Sequence, residues 1–244
     1  MANIQIALIN NYAPLSDDQV NAVAAALQIQ VHRDFAPIWG VDADITYYPS
    51  SQQPPASSWL LGIFDNSDQA GALGYHDLTE QGLPLGKIFA GTDAQYGSSW
   101  SVTASHELLE MLGDPDINLT VFRQQQDGTG VLYAYETCDA CEDDQFAYDI
   151  NGTKVSDFVF PSWFEEFHGA GTQYDFCQKI NAPFTLLTGG YIGVYNVTAG
   201  NGWTQLTADR KTLQYKMRAA IGSRRERRRT LRSEWLRSKP TRKK

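Results

Sequence analysis

Along this chain the apolar positions switch between two periods, and the switches outline the elements. Residues 4–9 run Ile-Gln-Ile-Ala-Leu-Ile and read as a strand. Ser16 then offers an N-cap, Asp17 and Asp18 put negative charge in a first turn, and Val20, Val23, Ala24, Leu27 and Val31 recur at helical spacing. Together they predict a helix over 17–35. Residues 44–48 and 59–64 read as strands, the first halted by Pro49 and followed by a Pro-rich loop at 50–55. Two more strands are expected at 72–75 and 87–90, around a turn region at 78–84, and then a helix over about 99–112.

Regular signals weaken after residue 116. Short strands are expected at 121–123 and 131–135, separated by Asp127-Gly128, and at 147–150 and 154–158, joined by the hairpin signal Asn151-Gly152. The aromatic run 161–167 reads as a short turn or helix, and 191–197 as a strand. Leu213, Met217 and Ile221 recur at helical spacing behind a cap at Thr207 or Asp209, which predicts a helix interrupted at Gly222. The expected class is α+β: a mixed twisted sheet backing the 99–112 helix within a globular domain, 1–209. Its parts 1–115 and 116–209 would flank a cleft, and a basic, partly helical arm, 210–244, would follow.

The candidate chemistry sits on the 99–112 helix, which carries S-H-E-L-L-E-M-L-G-D-P-D at 105–116. His106 and Glu110 are four apart and share one helical face, with Glu107 one step round. Leu108, Leu109, Met111 and Leu112 supply apolar cover, and Gly113 and Pro115 end the helix. The pattern is H-E-x-x-H with Glu in place of the second His. His106 and Glu110 would be two metal ligands, and Glu107 the general base. A third ligand must come from elsewhere: Glu136, in the acid-rich loop 136–144, is favoured, with Asp116 close behind and Asp139 and Asp114 as further candidates. The zinc-peptidase pattern makes Zn the leading ion, while one His with two carboxylates neutralises a divalent cation and shifts preference toward harder ions, so Mn or Ca are the alternatives. His76, in G-Y-H-D, reads as a structural or rim residue, while Trp163, Tyr191 and Tyr195 read as core.

Charge changes the picture at the C-terminus. The net charge is −8, yet residues 210–244 hold 15 Lys and Arg against 2 Asp and Glu, a net +13, leaving −21 on the rest. Such an arm suits nucleic acid or the acidic surface of a neighbouring subunit, which would make a homo-oligomer. No apolar run approaches a membrane span. The first residues read as a strand and not as a secretion signal, so a cytoplasmic or virion-associated protein is expected. Cys138, Cys141 and Cys177 are too few for a disulfide framework.

S-H-E-L-L-E, then D-P, then E-T-C-D-A-C at 136–141 resembles the S-H-E-x-x-E … D-P … E-x-x-D-x-C pattern of zincin-like proteins, among them the EXORDIUM-like (phosphate-induced) proteins. The matched positions are His106, Glu107, Glu110, Asp114, Pro115, Glu136, Asp139 and Cys141, over about 40 residues. The resemblance implies a zincin-type frame and a metal site, and supports that site better than it supports peptide cleavage. The leading expectation is a metal-dependent, peptidase-like hydrolase acting on a peptide or protein substrate. The rival is a structural or assembly protein, of a virus particle for example, that keeps the frame and uses its arm for nucleic acid or neighbours.

Overall fold

Ile6 and Leu8 face one side of the first strand and Ala7 and Ile9 the other, and all four are buried. A strand that is apolar on both faces belongs inside a sheet. In the computed structural model, which describes residues 4–49, 51–69, 72–200 and 202–208 and the backbone of 212–214 and 229–230, that strand, β1 (Ile4–Asn10), is internal. β2 (Ala43–Tyr48) pairs parallel on one side and β3 (Trp59–Phe64) parallel on the other. β5 (Pro84–Phe89) continues the parallel set beside β3, and β4 (Gly74–Thr79) returns antiparallel along β5. The Thr79 hydroxyl accepts the Leu83 amide, and Gly82 takes the left-handed conformation that closes this hairpin. The turn is therefore tighter than the expected 78–84, and both strands run further into it.

One face of this sheet packs on two helices. α1 (Asp17–Ile29) starts at Ser16, whose side chain accepts the Gln19 amide while the Gln19 side chain takes the Ser16 amide. The expected helix continues past Ile29 in a different form: residues Gln30–Phe35 are π-helical, and α2 (Ala36–Trp39) follows to a left-handed Gly40. The wider turn brings Gln30 fully inside. After a short helix, α3 (Ala90–Tyr96), which the sequence pattern did not signal, comes α4 (Trp100–Gly113). Leu108, Leu109 and Met111 of α4 are fully buried against Ile6, Leu8, Leu61, Ile63 and Ile88 of the sheet and Val23, Leu27 and Val31 of the first helical run. Each such side chain contributes on the order of 2 kcal/mol by leaving water.

The second sheet is antiparallel, in the order β12 (Thr212–Gln214), β11 (Trp203–Thr207), β10 (Tyr191–Asn196), β7 (Gly130–Ala134), β6 (Thr120–Gln124). Its core gathers Tyr133, Trp163, Phe164, Tyr174, Ile180 and Ile192. The β8 (Tyr148–Ile150) and β9 (Thr153–Val155) hairpin turns at Asn151-Gly152, as its sequence signals. The class is thus α+β, with a mixed sheet behind the helix that carries the candidate chemistry. The helix expected behind Thr207 gives way to a strand at Thr212–Gln214: pairing with β11 overrides the helical spacing of Leu213 with Met217 and Ile221. Arg229–Thr230 forms β13, parallel to β4 at the edge of the first sheet. The rest of the expected basic arm lies outside the described residues. No helix among the described residues is long and apolar enough to cross a membrane.

Candidate metal centre

α4 is held in position from behind. The Ser105 hydroxyl donates to Gln30 Oε1 at 2.6 Å and accepts the Ser156 amide at 2.9 Å, while Gln30 Nε2 donates to the Ser156 carbonyl at 2.9 Å. All three residues are buried, so this closed ring of polar partners fixes the rotation of α4 one residue before His106. At its C-terminal end Asp114, a further ligand candidate, turns to backbone amides instead: its two oxygens accept the Asn118 and Leu119 amides at 3.1 and 3.0 Å. That staple encloses Ile117, a buried β-branched residue at φ 54°, outside the backbone region such side chains prefer.

On the opposite face of α4, His106 and Glu110 converge. His106 Nε2 stands 3.3 Å from Glu110 Oε1 and 3.4 Å from Asp139 Oδ1. Asp139 arrives on a single 3-10 turn, Asp139–Cys141, that continues the loop leaving β7. The loop is clamped to its neighbours: the Cys138 amide donates to Glu110 Oε1 at 3.3 Å, and the Leu187 amide to the Ala140 carbonyl at 2.9 Å. Gly190 lies so near that a Cβ there would stand 2.4 Å from the Ala140 oxygen. Glu142, half-buried, joins His106 and Asp139 in one group of donor atoms.

A second group is built on the sheet side from His76, Glu110 and Glu136. His76 lies on β4 with its ring toward α4: Nδ1 is 3.4 Å from Glu110 Oε2 and 3.8 Å from Glu107 Oε2, and Nε2 is 3.6 Å from Glu136 Oε2. The strand pairing explains how Glu107 fits there. Gly74 precedes His76 on the same face, and Gly86 is its partner across β5. A Cβ on Gly74 would meet Glu107 Oε1 at 2.6 Å, and one on Gly86 would meet Glu107 Cβ at 3.3 Å. Two residues without side chains make the room that Glu107 occupies.

His106, Glu107, Glu110, Glu136 and Asp139 of the sequence-based set are therefore gathered, and Asp116 belongs to neither group. Asp116 sits in the turn that Asp114 staples through the Asn118 and Leu119 amides. Glu136 is present, on the His76 side, while Asp139 is the carboxylate that faces His106. His76, expected to be a structural or rim residue, is 3% exposed and stands among the candidate ligands. Its signal was weak: a lone His on a strand has no spacing partner, and only the β4–β5 pairing brings it over the helix. Trp163 is core, as expected, and all three cysteines are free thiols.

The electrostatics are those of a charge held inside protein. His76, Glu107, Glu110, Glu136 and Asp139 are each 5% exposed or less, and His106 is 8% exposed. Burial works against charge on His76, but Glu136, Glu107 and Glu110 outweigh it and raise the imidazole pKa to about 10. Burial likewise opposes charge on His106, and Glu110 and Asp139 outweigh it, so its pKa also rises. Burial opposes the Glu110 carboxylate too, yet the facing His106 and His76 hold its pKa below the ordinary range. Burial prevails at Glu107 and Asp139, whose pKa values are raised. Protons are one way to balance so many buried carboxylates, and a divalent cation is the other.

Three observations fit a cation. Zn–N and Zn–O bonds of about 2.0–2.2 Å place tetrahedral ligand atoms roughly 3.3–3.5 Å apart, the separation found between His106 Nε2 and its two facing oxygens. The donors mix imidazole with carboxylates, as zinc and the harder divalent ions prefer. Among the described residues Glu107 Oε2 is buried with no hydrogen-bond partner, a cost that a nearby positive charge would offset. Comparison with known protein families, with characterised proteins and with solved structures finds no match to this chain.

Proposed function

We propose that this domain is a metal-dependent hydrolase of the zincin type, acting on peptide bonds. The observation that carries the proposal is the convergence of His106 Nε2, Glu110 Oε1 and Asp139 Oδ1 at 3.3 and 3.4 Å, from a helix and a separate loop. His106, Glu110 and Asp139 would hold the cation, zinc by preference, with Glu142 at the more open side. Asp139 here replaces Glu136 and Asp116 as the third ligand. When bound, the cation supplies Lewis acidity, polarising a carbonyl and making water more acidic.

The chain's own residues do the rest. Glu107 is the proton acceptor: burial raises its pKa above the ordinary carboxylate value, which makes the carboxylate a stronger base. His76 beside it limits that rise and orients its carboxylate. The apolar packing of Leu108, Leu109 and Met111 keeps α4 from turning and excludes water from the back of the site. The test is Glu107→Gln, nearly equal in volume, assayed on an unstructured protein with zinc supplied. Cleavage is expected to fall by about 100- to 10,000-fold with bound zinc unchanged. Full activity in that variant, or none in the wild type with zinc bound, overturns the proposal.

A further inference from the structure

Glu110 has two carboxylate oxygens, and each faces a different imidazole. Oε1 is 3.3 Å from His106 Nε2, and Oε2 is 3.4 Å from His76 Nδ1. Beyond each imidazole stands a further buried carboxylate from the 136–139 loop: Asp139 Oδ1 at 3.4 Å from His106 Nε2, and Glu136 Oε2 at 3.6 Å from His76 Nε2. Each half of the centre thus has one imidazole and one carboxylate of its own, meeting at a shared carboxylate. At His106 both carboxylates approach Nε2, while at His76 Glu110 approaches Nδ1 and Glu136 Nε2, with ligand atoms of His76, Glu110 and Glu136 within 4.8 Å of one another.

We propose that the centre holds two divalent cations, the second on His76, Glu110 and Glu136, with Glu110 as the bridging ligand. This rests on the hydrolase reading for the first ion and adds a site to it. A carboxylate that offers one oxygen to each of two ions is the usual bridge of paired metal centres, which lie about 3.5–4 Å apart. Charge argues the same way. Glu107, Glu110, Glu136 and Asp139 are buried and Glu142 is half-buried, so five carboxyl groups gather around two imidazoles. One divalent ion offsets two carboxylates and a second offsets two more, which lowers the cost of holding such groups inside protein. Both donor groups have atoms close enough to serve one ion each, and Glu110 comes within ligand spacing of both imidazoles. The competing arrangement is a single ion, with a protonated His76 supplying the remaining positive charge.

The experiment is metal counting on the full chain. Protein stripped with chelator is titrated with Zn²⁺ by calorimetry, and the bound ion is counted by elemental analysis after gel filtration. Two ions per chain are expected for the wild type, one for His76→Ala, one for Asp139→Ala, and a loss at both halves for Glu110→Ala. Loaded with two equivalents of Mn²⁺, the wild type should show a spin-coupled resonance spectrum, and His76→Ala the six-line pattern of an isolated ion. Thermal unfolding confirms that each variant is folded, and the wild-type count depends on no variant. One ion in the wild type and one in His76→Ala overturns the second site and leaves the hydrolase reading standing. No ion in folded wild type overturns both.

Discussion

Two sets of buried carboxylates in this molecule are used in opposite ways. Asp175 is fully buried, and its oxygens accept the Ile180 and Lys179 amides, each at 2.8 Å. Asp114 does the same with the amides of Asn118 and Leu119. These acids spend their acceptor capacity on the loop that follows them. Glu110 and Asp139 are buried too, and Glu110 Oε1 also accepts the Cys138 amide, but their remaining capacity faces imidazoles: His106 for both, and His76 of β4 for Glu110 Oε2. Burial of an acid therefore says little about chemistry. What separates a staple from a ligand is whether neighbouring amides already fill its lone pairs.

The largest effect that could break this comparison is on stability. Asp175→Ala should cost about 3–5 kcal/mol, because two buried amides lose a charged acceptor, and the loss should be the same with or without chelator. Asp139→Ala should behave differently. In chelator it should cost less than about 1 kcal/mol, since it also removes like-charge repulsion, and it should abolish any rise in Tm on adding zinc. Denaturant and thermal melts of both variants measure the contrast. If Asp139→Ala is as damaging as Asp175→Ala in chelator, the distinction is wrong.

Gly74→Ala tests the space around Glu107 at a position that bears no donor atom. The added methyl would stand 2.6 Å from Glu107 Oε1 and 2.8 Å from Glu107 Cγ, so the side chain must move. A loss of about 1–3 kcal/mol is expected. Hydrolysis should drop more than zinc binding does, a split that parallel assays of the two would show.

Taken per pH unit, the smallest effect is a pH dependence. Burial, reinforced by the Asp175 carboxyl beside it, raises the pKa of Asp157 to about 8. The unfolded chain releases this proton near its ordinary value of 3.8, whereas the folded chain keeps it until about pH 8. Between those limits the folded state binds more protons, so this group's stabilisation is complete in acid and declines as pH rises through the window. The slope is at most about 1.4 kcal/mol per pH unit. Asp157→Asn should flatten the stability profile over that range in chemical denaturation.

Much of the scaffold was legible because its signals are local. The Ser16 N-cap, the α4 helix with its Gly-Pro stop and the Asn151-Gly152 hairpin each depend on a few adjacent residues, and each stands where the pattern put it. So does the His106–Glu110 pair, whose four-residue spacing is a property of one helix. What escaped depends on pairing at long range. His76 reaches the centre only through the β4–β5 register, and which of the candidate acids stands beside His106 follows from the loop, whose 3-10 turn presents Asp139 there while Glu136 stands beside His76. The strand at Thr212–Gln214 was obscured by a chance helical spacing that β11 overrode. The π-helical stretch has no sequence mark of its own, since its hydrophobic positions continue those of the helix before it.

That stretch gives the centre a vulnerability far along the chain. Gln30 grips Ser105 across 75 positions of sequence, and it points inward because residues 30–35 coil more loosely than the turns before them. A chain one residue shorter there would wind at ordinary pitch and aim a different side chain at the hydroxyl. The neighbouring imidazole would then lose the anchor behind it, and a deletion touching no donor atom would be read out as weakened ion affinity.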